Sequence, residues 1–187
     1  MKDALCVIDV QNEYFTGKLP VTFPEGSFRN ILLAMDIAIE KEIPVIVVRH
    51  VNPDPYAPTF ARGGRGATLH DEILRRHRDF LIEKQLPGSF TGTGLEAGLR
   101  SRGIDTITIC GYMTQMCCDT TARQGFHLGF SVNFLSDATG TLAISNPAGS
   151  ISAEDLHRAI LITQAMRFSR VIPTAQWVEE IPAQVPG

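Results

Sequence analysis

The sequence predicts an α/β fold: a three-layer α/β/α sandwich built on a mostly parallel sheet of about six strands. Three observations carry this. Short runs rich in Val and Ile alternate along the chain with stretches of helical spacing, and such alternation yields parallel strands with helices on both faces. The strand-like runs are apolar without interruption, as expected of strands buried on both faces. The 187 residues, 44% apolar and 20% charged, suit one globular domain with its own core, spanning residues 1–187.

The elements follow in order. "ALCVIDV" (4–10) reads as the first strand. Residues 28–42 have helical spacing, with Ile31, Met35 and Ala38 on one line and Leu32 and Ile39 beside it. "PVIVVRH" (44–50) is the second strand. Residues 51–68 are rich in Pro and Gly, a long loop of the kind that serves as a functional lid. A short helix over 69–77 precedes a third strand, 79–84. The helix over 93–103 carries a capping box, Thr93 to Glu96, and Gly103 as its stop. A fourth strand (105–111), a helix (114–129) and a fifth strand (130–138) follow. The helix over 152–168 has Ser152 as N-cap and Asp155 three residues on, with Ile151 and Leu156 placed for a hydrophobic staple. "RVIPTAQWV" (170–178) is read as a last strand.

Bulk properties narrow the function. A net charge of −3 gives no basic signature for nucleic acid or a membrane surface. No stretch approaches the ~20 apolar residues of a membrane span, and the opening apolar run is too short for a signal sequence. Four cysteines, Cys6, Cys110, Cys117 and Cys118, are too few for a disulfide scaffold and imply a reduced, cytoplasmic protein. Cys6 and Cys110 lie in apolar runs and read as buried thiols. The expected partner is a small-molecule substrate, not nucleic acid or membrane.

Parallel sheets bind ligands beyond the carboxyl ends of their strands. Three chemically unusual residues stand there: Asp9 after the first strand, Lys84 at the end of the third, and Cys117 one turn after the fourth. Alone, each has a plainer reading: a polar strand cap, a solvated lysine, a small buried hydrophobe. Together they make a nucleophile site without histidine. A thiol attacks as thiolate. Asp9 can take its proton, Lys84 and the following helix N-terminus favour the anion, and backbone N–H groups of that turn can hold an oxyanion. Lys84 and the helix favour an acidic thiol, while Asp9 and burial oppose it; the expectation is an unusually acidic Cys117, with a proton shared between Asp9 and Cys117 as the alternative to a simple thiolate. Tyr14, Phe15, Phe60 and Phe90 are candidate pocket residues, and Arg62 and Arg65 candidate ligands for a substrate carboxylate.

The strings "CVIDVQNEYF" and "IEKQLPGSFTGTGLEAGLRSRGIDTITICGYMTQMCCDTTARQGFHLGF" resemble the isochorismatase-like cysteine hydrolase superfamily, over nearly the whole chain. The specific parts are D-x-Q-N from Asp9, the K…S-F-x-G-T run from Lys84, and G-x-x-T-x-x-C-x-x-x-T-A from Gly111 to Ala122. The last pattern selects Cys117 as nucleophile and leaves Cys118, in a slot usually held by valine, to packing. The resemblance implies a cis peptide between Tyr112 and Met113, an oxyanion hole of the Met113 and Cys117 N–H groups, and a homo-oligomer, dimer or tetramer. Of the candidate pocket residues, Tyr14 and Phe90, with Tyr112, are the expected substrate contacts. Nicotinamidases in this superfamily hold a metal with an Asp-x-His pair and a further histidine. Here the matching stretch is "RHVNPD", with His50 in the aspartate's place, Asn52 in the first histidine's and His70 as a third candidate. No metal and no other cofactor is therefore expected. The resemblance implies an amidohydrolase cleaving a C–N bond of a small carboxamide or ureido compound. The alternatives are an isochorismatase-type vinyl-ether hydrolase using Asp9 and Lys84, or a non-catalytic or thiol-sensing member.

Overall fold

The structure, a computed structural model, describes residues 2–181. Six strands, β1 (Asp3–Ile8), β2 (Val45–His50), β3 (Phe80–Lys84), β4 (Thr106–Tyr112), β5 (Ser131–Gly140) and β8 (Arg170–Ile172), form one sheet in the order β3-β2-β1-β4-β5-β8. Every neighbouring pair in it is parallel. The chain winds outward from β1 through β2 to β3, then returns to lay β4 on the other side of β1. The reversal falls at β1 and β4, and sheets of this kind bind ligands at the carboxyl ends of the strands there.

Side-chain alternation sends successive residues to opposite faces. Leu5 and Val7 of β1 join one core with Ile31, Ala34, Met35 and Ala38 of α1 (Ser27–Glu40) and Trp177 of α6 (Thr174–Glu180). Cys6 and Ile8 join the other, with Leu95 and Leu99 of α3 (Leu95–Ser101) and Ala122 of α4 (Asp119–His127). All four β1 residues are fully buried, and each large aliphatic side chain so buried is worth about 1.5–3 kcal/mol. The layers therefore follow from strands that are apolar on both faces. Two further helices, α2 (Asp71–Leu74) and α5 (Ala153–Thr163), complete the set. Among the described residues no helix is long and apolar enough to cross a membrane.

Gly111 shows how closely β1 and β4 approach. Its φ is +117°, and a Cβ there would lie 2.0 Å from the Ile8 carbonyl oxygen, so only glycine fits.

Three local expectations are corrected and one element is added. The segment 170–178 is a strand only to Ile172; Pro173 is the N-cap of α6, and Trp177 packs from that helix into the core. The Thr93–Glu96 capping box is absent: Gly94 is the N-cap of α3, while Thr93 Oγ1 donates to the Ser89 carbonyl and accepts from the Leu95 N–H. The helix expected over 114–129 begins as a π turn, Thr114–Cys118, before α4. Residues 144–151, left unassigned in the sequence, form an antiparallel pair, β6 (Ile144–Asn146) and β7 (Gly149–Ile151). At α5, Ser152 accepts from the Asp155 N–H as expected.

Candidate active site

Asp9 follows β1 directly, with its N–H bonded to the Val48 carbonyl and a backbone φ of +50°. That left-handed conformation is uncommon outside glycine and costs energy. The carboxylate is fully buried. Lys84 ends β3, two strand spacings away, about 10 Å, and its long side chain crosses the end of β2. The ammonium Nζ lies 2.7 Å from Asp9 Oδ2 and donates to Cys117 Sγ at 3.2 Å. Among the described residues neither Asp9 oxygen has a further hydrogen-bond partner, so Oδ2 is held by the Lys84 ion pair alone. Cys117 sits in the π turn and keeps 6% exposure, while Cys118 keeps none. Single π turns of this kind recur at functional sites. The structure thus brings Asp9, Lys84 and Cys117 together.

The electrostatics depart from expectation at the thiol. Burial pushes the Cys117 thiol up, the Asp9 carboxylate pushes it further, and Lys84 only partly offsets them. An acidic resting thiol is therefore corrected to a protonated one: the sequence could not show how little water reaches it. Burial also works against the Lys84 charge, but Asp9 and Cys117 outweigh it and hold the ammonium above its ordinary value.

Lys84 has a further neighbour, His50, whose Nδ1 lies 3.4 Å from Nζ. Lys84 and His50 are register partners across β3 and β2. Burial and the Lys84 charge hold His50 below the usual histidine range. Gln11 fastens this strand end: it accepts from the His50 N–H and donates to the His50 and Ala67 carbonyls, each at 2.8 Å. Gln11 was visible only as part of the D-x-Q-N string; its role as a clamp between β2 and the 51–68 loop needed the fold. His157, on α5, gave no signal in the sequence. It bonds Thr114 Oγ1 at 2.8 Å and the Ser136 carbonyl at 2.9 Å, tying the π turn to α5.

The other candidates fall in different places. Tyr14 is buried, 5.3 Å from Phe60 and 5.6 Å from Tyr112 between ring centroids; its phenol is pushed up by burial and then by Asp9 and Cys117. Tyr112 turns its hydroxyl to Ser27 of α1, 3.2 Å away, so the ring serves the core; the Tyr112–Met113 peptide is cis. Phe90 stacks on Phe130 at 5.8 Å as part of the packing around α3 and α4. Phe15 packs on Phe28. Arg62 is occupied by Glu83, which also holds Arg49, each at 2.8 Å, and Arg65 stands exposed.

The nicotinamidase-type metal set does not fit here. His50 Nδ1 faces an ammonium, so a divalent cation there would meet a like charge. Asn52 Oδ1 accepts from the Asp54 N–H. His70 Nδ1 accepts from the Glu72 N–H as N-cap of α2, and its ring lies 4.5 Å from both Phe15 and Phe28.

Comparisons with known proteins bear on the family and the fold. A family model described as the isochorismatase domain matches residues 3–176. Nicotinamidase 3 of Arabidopsis thaliana is 30% identical over 181 residues, covering 90% of this chain and 83% of that protein. A solved structure from Burkholderia xenovorans LB400, assigned to the isochorismatases, superposes with a TM-score of 0.94 at 44% identity, covering 96% of this chain and 87% of that one. A cysteine hydrolase of Pseudomonas syringae pv. phaseolicola 1448A superposes with a TM-score of 0.89 at 28% identity, covering 96% and 92%.

Proposed function

The chain belongs to the isochorismatase family, and from that premise we propose that it is a cysteine amidohydrolase, cleaving a C–N bond of a small carboxamide or ureido compound through a thioester on Cys117. The observation that carries the reading is the position of one buried ammonium, Lys84, 2.7 Å from Asp9 and 3.2 Å from Cys117. The nicotinamidase and cysteine hydrolase relatives support the same chemistry.

The protonated thiol sets the sequence of events. Cys117 passes its proton to Asp9 as Sγ attacks the substrate carbonyl carbon, so base and nucleophile act together rather than through a standing thiolate. Lys84 offsets the charge wherever it sits, on sulfur or on carboxylate. The N–H groups of Met113 and Cys117 take the oxyanion. As the tetrahedral intermediate collapses, the C–N bond breaks, Asp9 protonates the departing amine and the thioester remains. Water, deprotonated by Asp9, then attacks the thioester; the acid leaves and Cys117 regains its proton.

The test is a panel of small amides and ureido compounds assayed for ammonia or amine release, with quenched samples examined by mass spectrometry. The expected result is an acyl adduct on Cys117 that forms and decays at the turnover rate. Turnover with no adduct, or undiminished turnover in Cys117→Ala, would refute the thioester route.

A further inference from the structure

An ammonium has three N–H bonds to place, and a buried one loses most if any is left unpaired. Around Lys84 there are three acceptors: Asp9 Oδ2 at 2.7 Å, Cys117 Sγ at 3.2 Å and His50 Nδ1 at 3.4 Å. His50 can accept only as the neutral tautomer protonated on the other nitrogen. The structure favours that form, because a protonated Nδ1 would point a hydrogen at the ammonium 3.4 Å away. The ring is held in place twice over. The His50 backbone N–H and carbonyl both bond Gln11, and the ring meets Phe60 in a T-shaped contact, centroids 5.2 Å apart.

We propose that His50 is a positioning residue: its Nδ1 takes the third hydrogen of Lys84 and keeps the ammonium seated between Asp9 and Cys117. The inference rests on the reading of Cys117 as the nucleophile, but not on any particular substrate. Without the third acceptor the ammonium is free to rotate toward water, and the sulfur loses part of the cation that stabilises its thiolate.

The comparison of His50→Leu with His50→Asn isolates this role. The two replacements have the same number of side-chain heavy atoms, branched at the same carbon, and both lose the ring packing on Phe60, but Asn keeps an acceptor near the Nδ1 position. Alkylation of Cys117 by iodoacetamide, followed by mass spectrometry across pH, is the readout. In H50L the rate at fixed pH should fall by about fivefold or more, with the profile displaced to higher pH; H50N should recover most of that loss. Equal rates in H50L and H50N, whether both slow or both like the parent, would overturn the proposal. Should H50L fail to fold, an NMR titration of His50 in the Lys84→Met protein decides. Removing the adjacent cation should raise the His50 protonation midpoint, and an unchanged midpoint would overturn the contact. Failure of the amide panel would instead defeat the amidohydrolase reading and leave these alkylation and titration results intact.

Discussion

Lys84 donates to the Cys117 sulfur across 3.2 Å, yet the thiol stays protonated because burial and the Asp9 carboxylate together outweigh that one cation. Lys84→Met should therefore raise the Cys117 pKa further and slow its alkylation at any fixed pH, by about tenfold. A pH profile of Cys117 modification identical in the two proteins would show that Lys84 does not tune the thiol.

Asp9 acts on the thiol in the opposite sense, so Asp9→Asn should separate acidity from catalysis. Removing the carboxylate relieves its push on Cys117, and alkylation should become faster at neutral pH. Amide turnover should nevertheless fall, by about a hundredfold or more, because the proton acceptor is gone. The change also leaves a buried ammonium without its counter-ion, at a cost of about 3–5 kcal/mol, readable by chemical denaturation. Slower alkylation in D9N would mean that Asp9 is not the group raising the thiol pKa.

The adjacent cysteines should behave differently despite their spacing. Cys117 keeps a small exposed surface and Cys118 has none, about 100° further round the turn. Cys117→Ala should abolish turnover, while Cys118→Val should retain it, since valine fills a similar apolar space. Comparable losses in both variants would reverse the assignment of the nucleophile.

How much of this was legible in the sequence depended on the physics of each feature. Strands such as 4–10 and 44–50 could be read because burial on both faces leaves an unbroken apolar run. The three site residues could be read because each is the polar break at the end of such a run or sits in a spaced motif. The helix Thr174–Glu180 was misread as strand because Trp177 and Val178 suit a strand equally well, and Pro173 can precede either. The balance at the thiol is decided by the extent of desolvation, which no residue string displays. The contact between His50 and Lys84 depends on the β2–β3 register, and that of His157 with Thr114 on the packing of α5.

Asp3, at the opposite end of β1 from the site, provides a test of the fold alone. Its Oδ2 accepts from Thr108 Oγ1 at 2.7 Å and from the Trp177 indole N–H at 3.1 Å, while Oδ1 is buried without a partner. Burial dominates these hydrogen bonds and raises the carboxyl from 3.8 to about 6. The folded protein thus holds this proton to higher pH than the unfolded chain does. Between the two values the folded state binds more protons, so stability must fall as pH rises through that window, and the loss is complete above it. The full effect is at most about 3 kcal/mol. Asp3→Asn cannot ionise, and its carbonyl can replace Oδ2 toward Thr108 and Trp177. Urea denaturation from pH 4 to 8 should show the Asn variant gaining on the parent as pH rises, with the difference levelling off near pH 7. Parallel stability profiles for the two proteins would show that the Asp3 carboxyl is ionised in the fold at no cost, and that the Trp177 and Thr108 donors suffice to hold its charge.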